Sequence, residues 1–129
     1  MKNNQKPLTP SNEDYLEAIL ILDQRGKKVK SVDIADMLNV SKPGVNKAMN
    51  ILKAIGLINK DSYSAISLTD KGRKEAEKVY ARHRLIYRFL RMIGVSASIA
   101  ETDCCKIEHV LSEETVERIK DYCKKNETD

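Results

Sequence analysis

No part of this 129-residue chain stays apolar for long. The longest run, "AILIL" from Ala18 to Leu22, falls far short of the roughly 20 residues that cross a bilayer, and no secretory hydrophobic region follows the start. Cysteine is scarce as well. Three residues, two of them adjacent (Cys104 and Cys105), do not make a disulfide framework and read as reduced, buried or metal-binding thiols. Internal repeats and low-complexity linkers are missing too. These absences exclude a membrane span and a secreted disulfide scaffold, and they lead to the expectation of a cytoplasmic protein. With 33% charged and 41% apolar residues, the chain also does not have a disordered composition.

Charge is present, and unevenly spread. The net value is only +4, yet Arg25 to Lys60 holds eight basic and two acidic side chains. Lys71 to Arg91 repeats that ratio, where the bases read mainly as a solvated helix surface; from Met92 onward five bases face nine acids. Such asymmetry points to one basic face for a polyanion and a second lobe with a different task.

Along the chain, Thr9 and Pro10 form an N-cap and first helical position, and Tyr15, Leu16, Ile19, Leu20 and Leu22 keep helical spacing until Gly26. Ser31 is expected to cap a short helix carrying Ile34, Ala35 and Leu38. After the turn at Asn39 to Ser41, a third helix from Lys42 is expected to bury Val45, Met49, Leu52 and Ile55 and to stop at Gly56. "LIN" (Leu57 to Asn59) and "AISLT" (Ala65 to Thr69) read as short strands around a polar loop. Thr69 caps a long helix to about Ile93, with Ala76, Val79, Tyr80, His83, Ile86, Leu90 and Ile93 on one stripe. Three shorter helices are expected after Gly94, near Ser98 to Asp103, Cys104 to Leu111 and Ser112 to Cys123, followed by a fraying tail. The fold class is therefore mainly α. A winged helix-turn-helix over 1–70 precedes a helical domain over 71–129.

The third helix has the build of a recognition helix. Its only charged residues are Lys42, Lys47 and Lys53, and Asn46 and Asn50 share their face, away from the Val45, Met49, Leu52 seam. Amides read base edges, lysines contact guanine or phosphate, and Ser41 at the N-cap aims helix-terminal N–H groups at a phosphate. Lys27, Lys28 and Lys30 before the second helix and Lys60 in the wing extend that footprint.

The acidic lobe poses a different question in "DCCKIEHVLSEE". Cys105, Glu108 and His109 stand at i, i+3 and i+4, the spacing of one helical face. Asp14 and Glu17 form a second carboxylate pair one turn apart, and His83 lies on the inner side of the long helix. Together these six offer three carboxylates, two imidazoles and one thiolate. Crowded together they would repel until a cation arrives. A mostly oxygen and nitrogen set favours six-coordinate Mn²⁺ or Fe²⁺ over tetrahedral Zn²⁺, and the thiolate tilts the choice toward Fe²⁺.

"SNEDYLEAILIL", "VDIADMLNVSKPGVNKAM", "ISLTDKGRKEAEKVYARHRLI" and "IEHVLSEETVERI" resemble the diphtheria toxin repressor and manganese transport regulator family of metal-dependent repressors, over about Leu8 to Tyr122. The chain end matches the short branch without an SH3-like third domain. The resemblance implies metal ligands at Asp14, Glu17, His83, Cys105, Glu108 and His109. Asp14 is what the manganese regulators carry, and Cys105 what the iron-responsive members carry. A cysteine in place of a bridging carboxylate suggests one well-occupied ion. Recognition positions fall on Ser41, Pro43, Asn46 and Lys47, with Gly44 and Asn46 departing from the commoner serine and threonine. The wing "YSAISL" lacks the usual glycine pair, so a looser tip is expected.

These readings converge on a non-enzymatic, metal-dependent repressor that binds palindromic operator DNA as a homodimer. Its ion would be Mn²⁺ or Fe²⁺, with Zn²⁺, Co²⁺ or Ni²⁺ as substitutes in vitro, and neither a membrane nor a small-molecule substrate is involved. Three rivals differ in kind. A metal-independent winged-helix regulator would ignore chelators. A Cys105–His109 nucleophile pair would need an electropositive niche, and Asp103 and Glu108 make this one acidic. A structural zinc module would need more cysteine ligands at the site.

Overall fold

A computed structural model describes residues 9–61 and 65–127, which form six helices and one two-stranded sheet. The chain divides into two compact units, Met1–Glu77 and Lys78–Asp129.

In the first unit, α1 (Pro10–Gln24) starts as its sequence dictates: the Thr9 hydroxyl accepts the Asn12 N–H at 3.1 Å, with proline in the first turn. Its inner face buries Leu16, Ala18, Ile19 and Leu20. Each fully buried leucine or isoleucine contributes about 1.5–3 kcal/mol. The short helix α2 (Ser31–Leu38) is capped differently from expectation. Lys30 occupies the N-cap, Ser31 is already helical, and the Asp33 carboxylate reaches back to accept the Lys30 N–H at 2.9 Å. The left-handed Asn39 (φ 55°) closes α2 and turns the chain into α3 (Lys42–Ala54).

Helix α3 buries Val45, Ala48, Met49 and Leu52. Ile55, expected in that seam, stays 44% exposed because it sits at the C-cap, past the last helical residue. The Ser41 hydroxyl caps α3 by accepting the Gly44 N–H at 3.1 Å. Ser41→Ala should cost about 1 kcal/mol of stability in urea denaturation, and Ser41→Gly only a few tenths.

Strands β1 (Ile58–Lys60) and β2 (Ile66–Leu68) pair antiparallel, with Asn59 opposite Ser67. Val29 adds a bridge to Ile66, whose N–H donates to the Val29 carbonyl at 2.8 Å. Asp61 and Ala65 close the hairpin below its tip, backbone to backbone at 3.0 Å and carboxylate to N–H at 2.9 Å. The tip expected to be loose, 62–64, lies outside the described residues. Helix, short helix, helix and hairpin in this order are a winged helix-turn-helix.

Thr69 then pins α4 (Asp70–Met92) to the turn after α3. Its Oγ1 accepts the Gly72 N–H at 3.0 Å and donates to the Gly56 carbonyl at 2.7 Å, and its own N–H donates to the Leu57 carbonyl at 3.1 Å. The latter part of α4 belongs to the second unit, with α5 (Ala97–Ile107) and α6 (Glu113–Lys125). Val79, Ile86, Ala100, Cys104 and Cys123 are buried there, and Phe89 meets Tyr122 edge-on at 5.6 Å.

Two expectations change in this unit. No break separates Asp103 from Cys104, because "ETDCCKI" contains neither glycine nor proline, and a single helix runs through. The end of α6 is also firmer than expected: helix continues to Lys125, and the Asn126 N–H bonds the Tyr122 carbonyl at 3.0 Å. Ile93, beyond the end of α4, is 54% exposed.

Candidate metal centre and nucleic-acid interface

Helix α4 carries His83 and α5 faces it with acids and thiols. His83 Nδ1 lies 2.7 Å from Glu108 Oε2, and Nε2 lies 3.0 Å from Glu101 Oε2, so each ring nitrogen meets a carboxylate. Cys104 Sγ sits 3.5 Å from His83 Nε2, and Cys105 Sγ lies 3.9 Å from His83 Nδ1 and from Glu101 Oε2. Cys104 is buried and Cys105 exposed.

Glu108 occupies the C-cap of α5, still in helical conformation, so it continues the face begun by Cys105. Arg82 Nη1 holds its backbone carbonyl at 3.0 Å. The carboxylate is 1% exposed. One oxygen meets His83; the other, Oε1, is buried and accepts no hydrogen bond among the described residues. His109 Nε2 stands 3.6 Å from it, an electrostatic neighbour beyond hydrogen-bond reach. A buried carboxylate oxygen without a donor costs free energy in any fold that does not offer it a cation.

Burial, and after it the neighbouring Cys105, Glu101 and Glu108, pushes the Cys104 thiol up to about 12. It therefore stays protonated at neutral pH until a cation takes the proton's place. An imidazole from α4 facing a thiol on α5 and a donor-poor carboxylate at its C-cap fits a divalent transition ion.

Of the six residues expected to ligate metal, the second unit brings together His83, Cys105, Glu108 and His109. In the first unit Asp14 and Glu17 stand one turn apart on α1, Glu17 buried and Asp14 half-buried. Two residues of the cluster, Glu101 and Cys104, escaped the sequence reading. Their signal was present, since Glu101, Cys104 and Cys105 repeat the i, i+3, i+4 spacing on the same helix.

The first unit presents the second candidate surface. Ser41, Lys42, Pro43, Asn46, Lys47 and Asn50 are all exposed, while Val45 and Met49 between them point inward. Asn46 Oδ1 accepts the Ser31 hydroxyl at 3.1 Å, which steadies its amide at the α2–α3 junction. Lys27, Lys28 and Lys30 are exposed before α2, and Lys60 is half-buried at the end of β1. No acidic side chain interrupts α3, so amide donors, lysines and the helix N-terminus share one positive face.

Comparison with known proteins follows this division. Residues 7–66 match the iron dependent repressor N-terminal DNA binding domain, and residues 69–129 match the iron dependent repressor metal binding and dimerisation domain. An uncharacterised HTH-type transcriptional regulator of Methanocaldococcus jannaschii is 35% identical over 92% of this chain and 96% of its own. The HTH-type transcriptional regulator MntR of Geobacillus kaustophilus is 39% identical over 88% of this chain and 80% of its own. Among solved structures, the manganese regulator SloR superposes with a TM-score of 0.80 at 33% identity, over 91% of this chain. The chain spans only 55% of the length of SloR.

Proposed function

The chain belongs to the iron dependent repressor family and is a metal-dependent, DNA-binding transcriptional repressor; we propose that its activating ion is Mn²⁺ or Fe²⁺ and that it governs genes of metal-ion homeostasis. The buried Oε1 of Glu108, which accepts no hydrogen bond among the described residues, carries the metal reading.

Asp14 and Glu17 would hold the ion from the first unit, and His83, Cys105, Glu108 and His109 from the second. The ion supplies the positive charge that these acidic ligands need when they converge. Ligands drawn from both units couple the DNA-binding unit to metal occupancy. Metal then raises DNA affinity, and DNA raises metal affinity by the same factor.

On the DNA side, Ser41, Lys42, Pro43, Asn46, Lys47 and Asn50 would enter the major groove, with Lys30 and Lys60 on flanking phosphates. A two-fold dimer would place two α3 helices on half-sites about 34 Å apart. The second unit supports self-association: Ile93, Ile99 and Val110 are 54%, 53% and 75% exposed. Val95, Ile107, Leu111 and Ile119 are only half-buried. Such apolar surface fits an isologous interface. The functional boundary falls between 1–70 and 71–129, the setting is cytoplasmic, and no catalytic step is involved. No described helix is long and apolar enough to cross a membrane.

Anaerobic fluorescence anisotropy with an inverted-repeat duplex tests this reading, first with chelator and then with Mn²⁺ or Fe²⁺. Binding should appear only with metal. In Cys105→Glu, an oxygen donor replacing the softer thiolate should move the preference toward Mn²⁺. Equal binding with chelator and with metal would leave a metal-independent winged-helix regulator.

A further inference from the structure

The six ligands proposed above omit two side chains that lie against His83, Glu101 at 3.0 Å and Cys104 at 3.5 Å. Glu101, Cys104, Cys105 and His83 each place a donor atom within 4.8 Å of all the others. A tetrahedral zinc ion, with Zn–N of about 2.0 Å and Zn–S of about 2.3 Å, separates its ligand atoms by roughly 3.2–3.8 Å. The separations found are 3.0 Å from His83 Nε2 to Glu101, 3.5 Å from it to Cys104, and 3.9 Å from Cys105 to Glu101. These three lie within about 0.2 Å of that range, and the remaining pairs of donor atoms lie within 4.8 Å.

From this geometry we infer that His83, Glu101, Cys104 and Cys105 form a second, thiolate-rich cation site, selective for a tetrahedral thiophilic ion of the Zn²⁺ class. All four ligands lie on α4 and α5 of the second unit, so the site is complete without Asp14 or Glu17. Two sulfurs, one nitrogen and one oxygen suit Zn²⁺ and disfavour Mn²⁺, which prefers six harder donors. His83 and Cys105 belong to both sets, so occupancy of one site competes with occupancy of the other. Glu101, with a side chain 59% exposed, and Cys105 are the ligands open to solvent and mark the entry side. Each thiol that ligates releases its proton to solvent and binds as thiolate.

Co²⁺ is the spectroscopic probe and Zn²⁺ the competitor, on the whole anaerobic protein. Apo protein loaded with Co²⁺ should show tetrahedral d–d bands and a near-ultraviolet sulfur-to-cobalt band of two-thiolate intensity, both removed by Zn²⁺. Cys104→Ser should halve that band, and Cys123→Ser should leave it intact. Glu101→Gln, at an exposed position where folding is not at stake, should weaken Zn²⁺ binding at least about tenfold in chelator competition. A one-thiolate band, or undiminished Zn²⁺ affinity in Glu101→Gln, would overturn the site. The inference does not depend on the repressor reading. A two-thiolate band in a protein whose DNA binding ignores metal would sink that reading and leave this site standing.

Discussion

Glu108→Gln should abolish metal-dependent DNA binding while leaving a folded protein. The change is nearly isosteric and falls on a side chain that is 1% exposed. Two effects on the apo fold oppose each other. The charge-assisted contact to His83 at 2.7 Å is weakened, a loss of about 1.5–3 kcal/mol for hydrogen bonds of this kind. A buried negative charge whose second oxygen lacks a donor is removed at the same time, which offsets much of that loss. Apo stability should therefore stay within about 1 kcal/mol of wild type, in line with modest mutational effects. Metal affinity should fall about 100-fold or more, because an anionic carboxylate ligand has become a neutral amide. Wild type in Mn²⁺ at 100 times its Kd should gain about 2.7 kcal/mol. At the same Mn²⁺ concentration the variant should gain no more than about 0.4 kcal/mol, and DNA anisotropy should show no metal-induced change. Unchanged Mn²⁺ affinity in Glu108→Gln would refute the ligand assignment at its central residue.

Gly72→Ala should be the most damaging single methyl in the first unit. A Cβ at Gly72 would lie 1.8 Å from the Leu57 carbonyl oxygen and 2.8 Å from its carbonyl carbon. Both are backbone atoms, and the same carbonyl accepts the Thr69 N–H. The Thr69 hydroxyl holds the neighbouring Gly56 carbonyl, so neither the turn nor the start of α4 can yield alone. Overpacking of this sort typically costs 1–3 kcal/mol and more against rigid backbone, so a loss of about 3 kcal/mol or greater is expected. At about 4 °C per kcal/mol, Tm should drop by some 12 °C, and DNA binding by the metal-loaded protein should weaken with it. Lys71→Ala, its exposed neighbour, should change stability by less than about 0.5 kcal/mol. If the two variants melt together, the close approach of α4 to Leu57 is wrong.

The two predictions differ in how far the sequence announced them. Apolar spacing, Thr9, Ser41 and Thr69 as caps, and proline in first turns placed α1, α3 and α4 within a residue or two, because helix starts are local hydrogen-bonding events. Where locality failed, a competing local group was overlooked. Asp33 reached back to cap Lys30, so the helix began at Ser31 itself. The chain between Ser98 and Leu111 contained no breaker, and one helix formed where two were expected.

The site divides in the same way. Cys105, Glu108 and His109 could be proposed from spacing alone, since residues three and four apart share a helix face. The acid-free, amide-bearing face of α3 was legible for the same reason. The closeness of Gly72 to Leu57 was not, because it depends on two segments meeting across a turn. Nor was the pairing of His83 with Glu101 and Cys104, which lie 18 and 21 positions away. Periodicity within an element says which side chains share a face. Only packing between elements decides which face meets it, which carboxylate oxygen is left without a donor, and hence where a cation is wanted.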